Sequence, residues 1–296
     1  MKIIRAAHLG MCFGVRDAIQ LALDQSSLEP ITVLGDLVHN ETVLQELRAG
    51  GVRFQQQVES VDTGSVMITA HGASQRTLQA LQSRGLRVHE ATCPLVHAAH
   101  GAVLRLVREG FHPVIIGKRD HVEVRGLTGD LEAFDVVLDE NDVAALTERP
   151  RFGVAAQTTQ PIDRVRRLVK LLGERFPRSQ IRFVDTVCQP TKQRQSAAIE
   201  MAKLSDVVVV VGGAHSNNTH ELVNTCAHFC SRVHHVQTAA DLRQEWFAGA
   251  GTVGLTAGTS TPDSVIDTVE RWLRELAESA ESKSNPKDSK TNSVNS

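Results

Sequence analysis

The sequence has no excess of charge of either sign: 32 Lys and Arg residues stand against 34 Asp and Glu residues, a formal net charge of -2. This balance argues against a broad nucleic-acid-binding surface. The sequence also lacks a long hydrophobic run. Its longest strongly apolar stretch, residues 207–211, is far too short to span a bilayer, and no signal-like apolar segment follows the N-terminus. We therefore expect a cytoplasmic protein that binds neither nucleic acid nor a membrane.

The sequence contains few cysteines, and their number is odd: five among 296 residues. An unexported protein with an odd number of cysteines is expected to use them as reduced thiols, metal ligands or catalytic groups. A composition of 41% hydrophobic and 22% charged residues is that of an ordinary globular protein. It excludes collagen-like, coiled-coil and wholly disordered chains.

Short β-branched runs alternate with helical patterns along the chain, and each run ends in glycine or in a polar loop. The runs are residues 31–34, 66–69, 114–116, 207–211 and 253–255. This alternation predicts an α/β fold with mostly parallel sheets. Residues 279–296 contain almost no apolar side chains, so we expect them to form a disordered tail.

Three of the cysteines, Cys12, Cys93 and Cys188, mark a repeat. Each lies between a strand-like run and a helical pattern, so we expect each thiol at a helix N-terminus, where helix amides favour the thiolate. Each is followed 23 or 24 residues later by a strand-ending glycine, and then by two polar loops at similar places. The glycines are Gly35, Gly117 and Gly212; the first loops carry His39, His121 and Ser216, and the second loops carry His71, Thr158 and Ser260.

This matched spacing predicts three copies of one unit. We expect three pseudo-equivalent α/β lobes arranged as a trefoil, with residues 13–93 in lobe 1, 94–188 in lobe 2, and 189–278 in lobe 3, completed by residues 1–12. Because ligands bind beyond the carboxyl ends of parallel strands, the loops and the three thiols are expected to meet at one central site. Two features lie outside this register. Cys226 and Cys230 are expected to be core or partly exposed thiols, and the basic run at residues 164–167 is expected to be an exposed helix face.

Three converging thiolates fit more than one kind of metal centre. Zinc generally takes four protein ligands in a structural site, and a histidine would complete a Cys3His set. An iron–sulfur cluster held by three cysteines keeps one iron without a protein ligand, and that iron is open to substrate. The spacing of the cysteines leaves both centres open.

The loops around the expected site are rich in hydrogen-bond donors and poor in negative charge. Their polar residues are His39, His71, His121, Thr158, Ser216, Asn217, Asn218 and Ser260, with Glu123 as the one obvious carboxylate in the same motifs. Such a set suits a phosphate or diphosphate ligand.

The order of these motifs resembles the 4-hydroxy-3-methylbut-2-enyl diphosphate reductase (LytB) family, which catalyses the last step of the methylerythritol phosphate route to isoprenoids. The motifs lie at residues 12–15, 38–40, 69–72, 91–94, 121–124, 157–159, 185–188, 216–218 and 256–260. The resemblance implies a three-lobed fold around one 4Fe-4S cluster, bound by Cys12, Cys93 and Cys188, with one iron lacking a protein ligand. It implies reductive removal of a hydroxyl group, which gives isopentenyl and dimethylallyl diphosphates.

The resemblance also implies roles for the loop residues. Those expected to bind the diphosphate substrate are His39, His71, His121, Ser216, Asn218 and Ser260, with Asn217 where the family often has serine. Glu123 falls at the position of the family's proton relay. Thr158 falls at that of a residue near the substrate hydroxyl, so both are expected to be catalytic and Thr158 also to contact substrate. The expected electron donor is a reduced ferredoxin or flavodoxin.

Several positions depart from the family pattern. Val122 stands where proline is common, Gln189 and Pro190 follow the third cysteine in place of an aromatic residue or Asn-Ala, and Gln193 replaces a common asparagine. These departures leave open a diverged paralogue with a shifted diphosphate substrate. Two further alternatives are a non-catalytic three-cysteine iron–sulfur or zinc protein, and a phosphate-ester binder without redox chemistry.

The metal content of the protein separates the reductase from a structural zinc protein. We expect anaerobically purified protein to contain about four irons and about four sulfides per chain and no zinc, because three cysteines can hold an open cluster. Elemental analysis combined with an acid-labile sulfide assay measures this. One zinc per chain without sulfide would contradict the reductase hypothesis.

Overall fold

Strands and helices alternate along the whole of the described chain. The computed structural model describes residues 1–284. The strands are β1 (Lys2–Arg5), β2 (Ile31–Leu34), β3 (Arg53–Gln55), β4 (Ser65–Ile68), β5 (Arg87–Glu90), β6 (His112–Ile116), β7 (Asp135–Val137), β8 (Arg151–Ala156), β9 (Gln180–Phe183), β10 (Val207–Val211), β11 (Val233–Val236) and β12 (Thr252–Ala257). The helices are α1 (Phe13–Ser26), α2 (Glu41–Ala49), α3 (Gln75–Ser83), α4 (Pro94–Arg108), α5 (Val122–Thr128), α6 (Glu140–Ala145), α7 (Ile162–Arg175), α8 (Gln189–Ala202), α9 (Asn217–Ala227) and α10 (Asp263–Ser284). Short 3-10 helices lie at Val58–Ser60, Ala239–Asp241 and Gln244–Phe247.

The strands form three four-stranded sheets that share one order: β3-β2-β4-β5, β7-β6-β8-β9 and β11-β10-β12-β1. The pairings between these strands are parallel. Strand β1, from the start of the chain, takes the edge position that β5 and β9 take in the other sheets. The prediction of three equivalent α/β lobes is therefore confirmed. The lobe bounds remain a proposal, and the residues of each sheet lie inside them.

Strand β10 shows why these sheets carry helices on both faces. Its five valines are fully buried, as expected of an inner strand in a parallel sheet. Because side chains alternate between faces, Val207, Val209 and Val211 pack with α10 residues, whereas Val208 and Val210 pack with residues of α8 and α9. The second of these clusters also contains Cys226 and Cys230, which are core thiols as the sequence predicted.

An ion pair joins the second and third lobes. Arg164, in the first turn of α7, donates to Glu221 Oε1 of α9 at 2.7 Å and to Gln160 Oε1 at 3.0 Å. The two paired side chains are 25% and 9% exposed. The prediction of an exposed basic face at residues 164–167 is therefore wrong for Arg164, because α7 turns this residue toward the neighbouring lobe.

The C-terminal helix is longer than the sequence predicted. Helix α10 continues to Ser284, so the expected start of a disordered tail at residue 279 is wrong for residues 279–284. Once a helix has formed, each further residue adds a hydrogen bond at little cost, even without apolar packing. The rest of the predicted tail, residues 285–296, lies outside the described residues. No helix within residues 1–284 has the length and apolar character needed to cross a membrane.

The Arg164–Glu221 pair should stabilise the contact between the second and third lobes. We expect Arg164→Ala to lower the thermal midpoint by several degrees, because it leaves the Glu221 carboxylate without its partner in a mostly buried position. The cost should be about 2 kcal/mol, below that for a fully buried pair. Thermal unfolding of Arg164→Ala, Glu221→Gln and the double variant measures the coupling. Lys170→Ala, which breaks a pair with 79% and 57% exposed side chains, is the control. Strictly additive effects of the two substitutions would contradict the coupling.

Candidate active site

Each lobe places one cysteine at the same structural position. Cys12, Cys93 and Cys188 are the N-caps of α1, α4 and α8, directly after the edge strand of each sheet. Their backbone amides donate to loop carbonyls that follow the neighbouring strand: Thr259 O at 3.0 Å, Ala70 O at 3.1 Å and Thr158 O at 3.0 Å, respectively. The three thiols are therefore held by one repeated hydrogen-bonding arrangement.

The three thiols face a common centre. A Cβ atom at Gly14, two residues after Cys12, would lie 2.5 Å from Cys93 Sγ, so only glycine lets α1 approach that thiol. Cys12 also acts electrostatically on both Cys93 and Cys188, raising the pKa of each thiol.

Burial affects the pKa of the Cys93 and Cys188 thiols more strongly than the helix N-termini do. It raises the pKa of Cys93, and it raises that of Cys188 to about 11. Amides of the first helical turn act in the opposite direction but more weakly, through Leu95 and Val96 for Cys93. The helix amides thus favour these thiolates as expected, but burial outweighs them. A bound cation would have to displace the protons, as is usual for thiolate ligands.

Three histidines from two lobes pack against one another: the rings of His39 and His71 are stacked, and the ring of His121 meets both edge-on. The ring centroids of His39 and His71 are 4.3 Å apart, and His121 lies 5.2 and 5.5 Å from them. One ring nitrogen from each lies within 4.8 Å of the others. The amide of Glu123 donates to His121 Nδ1 at 3.1 Å, so the neutral ring carries its proton on Nε2.

Desolvation keeps these histidines neutral in the free protein. Burial lowers the pKa of His39, lowers that of His71 well below its ordinary value, and lowers that of His121 to about 3. His39 Nε2 and His71 Nδ1 are buried without a hydrogen-bond partner, as are the side-chain amide nitrogens of Asn217 and Asn218. Three imidazoles at this spacing also resemble a zinc site. The adjacent amide donors, however, suit an anion and repel a cation.

Glu123 is a buried carboxyl group held by Thr158. The side chain of Glu123 is 1% exposed. Thr158 donates its amide to Glu123 Oε1 at 2.7 Å and its hydroxyl to Oε2 at 3.1 Å. Burial raises the pKa of Glu123 to about 7, and the two Thr158 hydrogen bonds oppose this rise. Because the Thr158 carbonyl also accepts from the Cys188 amide, one residue links the carboxyl group to the thiol centre.

The third lobe contributes capping and bridging groups. Ser216 is the N-cap of α9, and its hydroxyl accepts from the Thr219 amide at 3.3 Å. Asn218 Oδ1 accepts from the Thr259 amide at 2.9 Å, which leaves the Nδ2 group as a donor. Ser260 donates its hydroxyl to the His39 carbonyl at 3.3 Å, so this residue joins the third lobe to the first.

A cavity of about 650 Å³ opens beside the histidines. Loops from all three lobes line it, and its lining includes His39, His121 and Asn217 together with the exposed cations Lys118 and Arg125. In the described part of the chain, the lining includes neither the three cysteines nor Glu123. The cavity therefore opens on the histidine and asparagine side of the site, and its wall carries Asp36 and Asp120 as well as the two cations.

The structure thus brings together the polar loop residues and thiols that the sequence singled out, but sequence reasoning missed Arg194. This arginine is buried near Cys12 and Cys188. A signal for it exists in the sequence: Thr191, Arg194, Ala198 and Met201 recur at helical spacing, and they share the buried face of α8. Because burying a charge is unfavourable, a charged residue on such a face is expected to have a hydrogen-bonded or oppositely charged partner.

A threefold α/β repeat with a thiol at the same place in each lobe defines a class of proteins built around one shared central site. The chain belongs to the LytB family, because the family model described as LytB protein matches residues 3–274. This confirms the family assigned from the sequence motifs. Membership is consistent with an iron–sulfur cofactor, and the three thiols, with the buried arginine beside them, fit such a group.

Curated relatives and solved structures agree with this family. The 4-hydroxy-3-methylbut-2-enyl diphosphate reductase of Syntrophotalea carbinolica is 36% identical over 94% of this chain and 100% of its own length. The enzyme of the same name from Aquifex aeolicus is 35% identical over 94% of this chain and 98% of its own. The structure of E-1-hydroxy-2-methyl-but-2-enyl-4-diphosphate reductase from Plasmodium falciparum matches with a TM-score of 0.84, at 26% identity over 97% of this chain and 89% of its own. A second structure, of (E)-4-hydroxy-3-methyl-but-2-enyl diphosphate reductase, has a TM-score of 0.66 at 35% identity, over 93% of this chain and 100% of its own.

The raised pKa of Glu123 makes protein stability depend on pH. The carboxyl group binds its proton more tightly in the folded state, with a pKa of about 7, than in the unfolded chain, with an ordinary value of 4.5. Stability should therefore fall as the pH rises from 4.5 to 7, by at most about 3 kcal/mol. Gln cannot ionise, so we expect Glu123→Gln to raise the thermal midpoint at pH 8 by a few degrees and to change it little at pH 4.

Thermal unfolding of the metal-free protein across this pH range measures the effect. Glu132→Gln, a change at an exposed residue, is the matched control and should show no such pH dependence. A constant difference between Glu123→Gln and the parent protein at every pH would contradict the assigned pKa.

Proposed function

We propose that this protein is a 4-hydroxy-3-methylbut-2-enyl diphosphate reductase, which removes the substrate hydroxyl to give isopentenyl and dimethylallyl diphosphates. The observation that carries the proposal is the position of Glu123: a buried carboxyl group with a pKa of about 7 that is hydrogen-bonded to Thr158. It lies near enough to Cys93 and Cys188 to raise the pKa of both thiols. The names of the relatives support the same substrate.

We assign one 4Fe-4S cluster to Cys12, Cys93 and Cys188, with one iron lacking a protein ligand. Bound there, the cluster would supply the electrons and an open metal position for the substrate hydroxyl. The assignment is supported by three thiols at equivalent helix N-termini, each held by the same backbone hydrogen bond to a neighbouring loop. A reduced ferredoxin or flavodoxin in the cytoplasm would be the source of electrons.

The diphosphate would be held by the donors that lack a partner in the structure. His39, His71 and His121 present ring nitrogens, and Asn217 and Asn218 present side-chain amides. Ser216 and Ser260 add hydroxyl groups at the edge of this set. A bound anion would raise the histidine pKa values, because an opposite charge stabilises the imidazolium. Lys118 and Arg125 on the cavity wall would attract the anion, and Asp36 and Asp120 on the same wall would oppose this attraction.

Fixing the diphosphate leaves the rest of a short substrate little freedom. The hydroxyl end is then held near Glu123 and Thr158, so that proton transfer becomes effectively intramolecular. A pKa of about 7 leaves Glu123 partly protonated at neutral pH, which suits a general acid. Glu123 would give its proton to the departing oxygen. As the C–O bond breaks, two electrons and two protons convert the alcohol into product and water.

Thr158 orients the acid. Its amide and hydroxyl occupy both carboxyl oxygens, so the carboxyl plane cannot rotate freely. Its hydroxyl also lies within reach of any group that approaches Glu123 Oε2. We therefore assign to Thr158 both a positioning role and a contact with the substrate hydroxyl.

The test is anaerobic turnover by iron-loaded protein with a low-potential reductant. We expect conversion of 4-hydroxy-3-methylbut-2-enyl diphosphate to the two isoprenoid products. Glu123→Gln should still bind substrate but lose about 10²- to 10⁴-fold in rate, because the proton donor is gone. Glu132→Gln is the matched control and should keep its rate.

Two results would count against the proposal. Absence of turnover in fully iron-loaded protein would refute the reductase function. Normal turnover by Glu123→Gln would remove Glu123 from the mechanism while leaving the function in place.

A further inference from the structure

Arg194 is a buried guanidinium group that lacks a carboxylate partner. It lies on α8, six residues after Cys188, and is 8% exposed. Its Nε donates to the Gly10 carbonyl at 2.9 Å and its Nη1 to the Pro190 carbonyl at 3.0 Å. Within residues 1–284, none of its recorded hydrogen bonds or ion pairs reaches an acidic side chain.

Burying such a group raises the free energy of the folded protein unless negative charge lies nearby. Buried charges in proteins are generally paired, since burial removes them from water without replacing its solvation. Two neutral carbonyl groups compensate a guanidinium only in part. Burial lowers the pKa of Arg194, and Cys12 and Cys188 lie close enough to oppose this lowering when they carry negative charge. The complement of this cation is therefore negative charge on the thiols.

The two carbonyl contacts connect the parts of the site that carry these thiols. Gly10 lies in the loop that leads to Cys12, and Pro190 lies in the first turn of the helix that begins at Cys188. A planar guanidinium donates in fixed directions from a rigid fork, which lysine cannot reproduce. Arg194 thus spans the junction between two of the three cysteines.

We propose that Arg194 is a positioning residue of the metal centre, which ties the Cys12 loop to α8 and offsets the negative charge held at Cys12 and Cys188. The proposal rests on the proposed function, because it assumes an iron–sulfur cluster on the three cysteines. In a buried site of low dielectric, a fixed positive charge favours the more negative, reduced state of a cluster. Arg194 should therefore raise the reduction potential and help retain the cluster.

Arg16 offers a matched control for the effect of charge alone. It lies in the first turn of α1, close enough to Arg194 to lower the pKa of that guanidinium. Unlike Arg194, it is 56% exposed and pairs with Asp263 at 2.9 Å. Solvent and the paired carboxylate screen its charge, so its removal should have little effect on the centre.

The experiment compares holoprotein of the parent sequence with Arg194→Met, Arg194→Lys and Arg16→Gln. Redox titration followed by electron paramagnetic resonance gives the midpoint potential, and iron analysis gives the cluster retained after purification. We expect Arg194→Met to shift the potential to more negative values and to lose iron. Arg194→Lys, which keeps the charge but not both carbonyl contacts, should lie between this variant and the parent. Arg16→Gln should stay close to the parent in both measurements.

Each outcome decides the proposal. Loss of the cluster from Arg194→Met with retention in Arg194→Lys supports it, because the two variants differ in charge. An unchanged potential in Arg194→Met overturns it. Equal loss of iron, or equal shifts of potential, in the Met and Lys variants overturns the role of the charge. A parent protein that binds no cluster would overturn the proposed function and this inference with it, whereas the other negative results leave the proposed function standing.

Discussion

Three backbone hydrogen bonds connect the fold to the site. In each lobe the cysteine amide donates to a carbonyl of the loop that follows the adjacent parallel strand, at Thr259, Ala70 and Thr158. Each bond continues the pairing of the sheet beyond the strand ends, so the sheet itself determines where the thiol and its neighbouring loop lie. A single bond of this kind contributes only about 1 kcal/mol. Its importance is geometric, because the same arrangement repeated three times directs three thiols toward one centre.

Burial is the common cause of the electrostatic properties of this centre. It holds His71 and His121 neutral, raises the pKa of Glu123 to about 7, and raises the pKa of Cys188 to about 11. In such a site the histidines are neutral donors, and the one buried carboxyl group, Glu123, is partly protonated at neutral pH. Burial also removes the Arg194 guanidinium from water, and within residues 1–284 no acidic side chain pairs with it. In the described part of the chain, two carbonyl groups compensate this charge only in part, and a negative group at the thiols would complete the compensation.

Contacts between lobes complete the site. Ser260 of the third lobe donates to the His39 carbonyl of the first, and a side chain at Gly213 would collide with that same carbonyl group. Arg164 and Glu221 join the second lobe to the third on the side of the Thr158 loop. Each lobe thus contributes loops to a surface that no single lobe could form. This explains why polar residues far apart in the chain act together.

The sequence by itself determined the class of fold, the family and the positions of the three cysteines. Parallel inner strands such as β10 appear as continuous apolar runs, and a repeated unit leaves a spacing that can be counted. The tertiary structure decided the electrostatics and the contacts between lobes. Helix N-termini predict thiolates, but the desolvation of Cys93 and Cys188 outweighs the helix amides. Arg164 appears as a surface cation in the sequence, yet it is partly buried against the third lobe, and Arg194 is buried beside the Cys12 loop. Local patterns follow from nearest neighbours along the chain, whereas desolvation and charge pairing depend on atoms that only folding brings together.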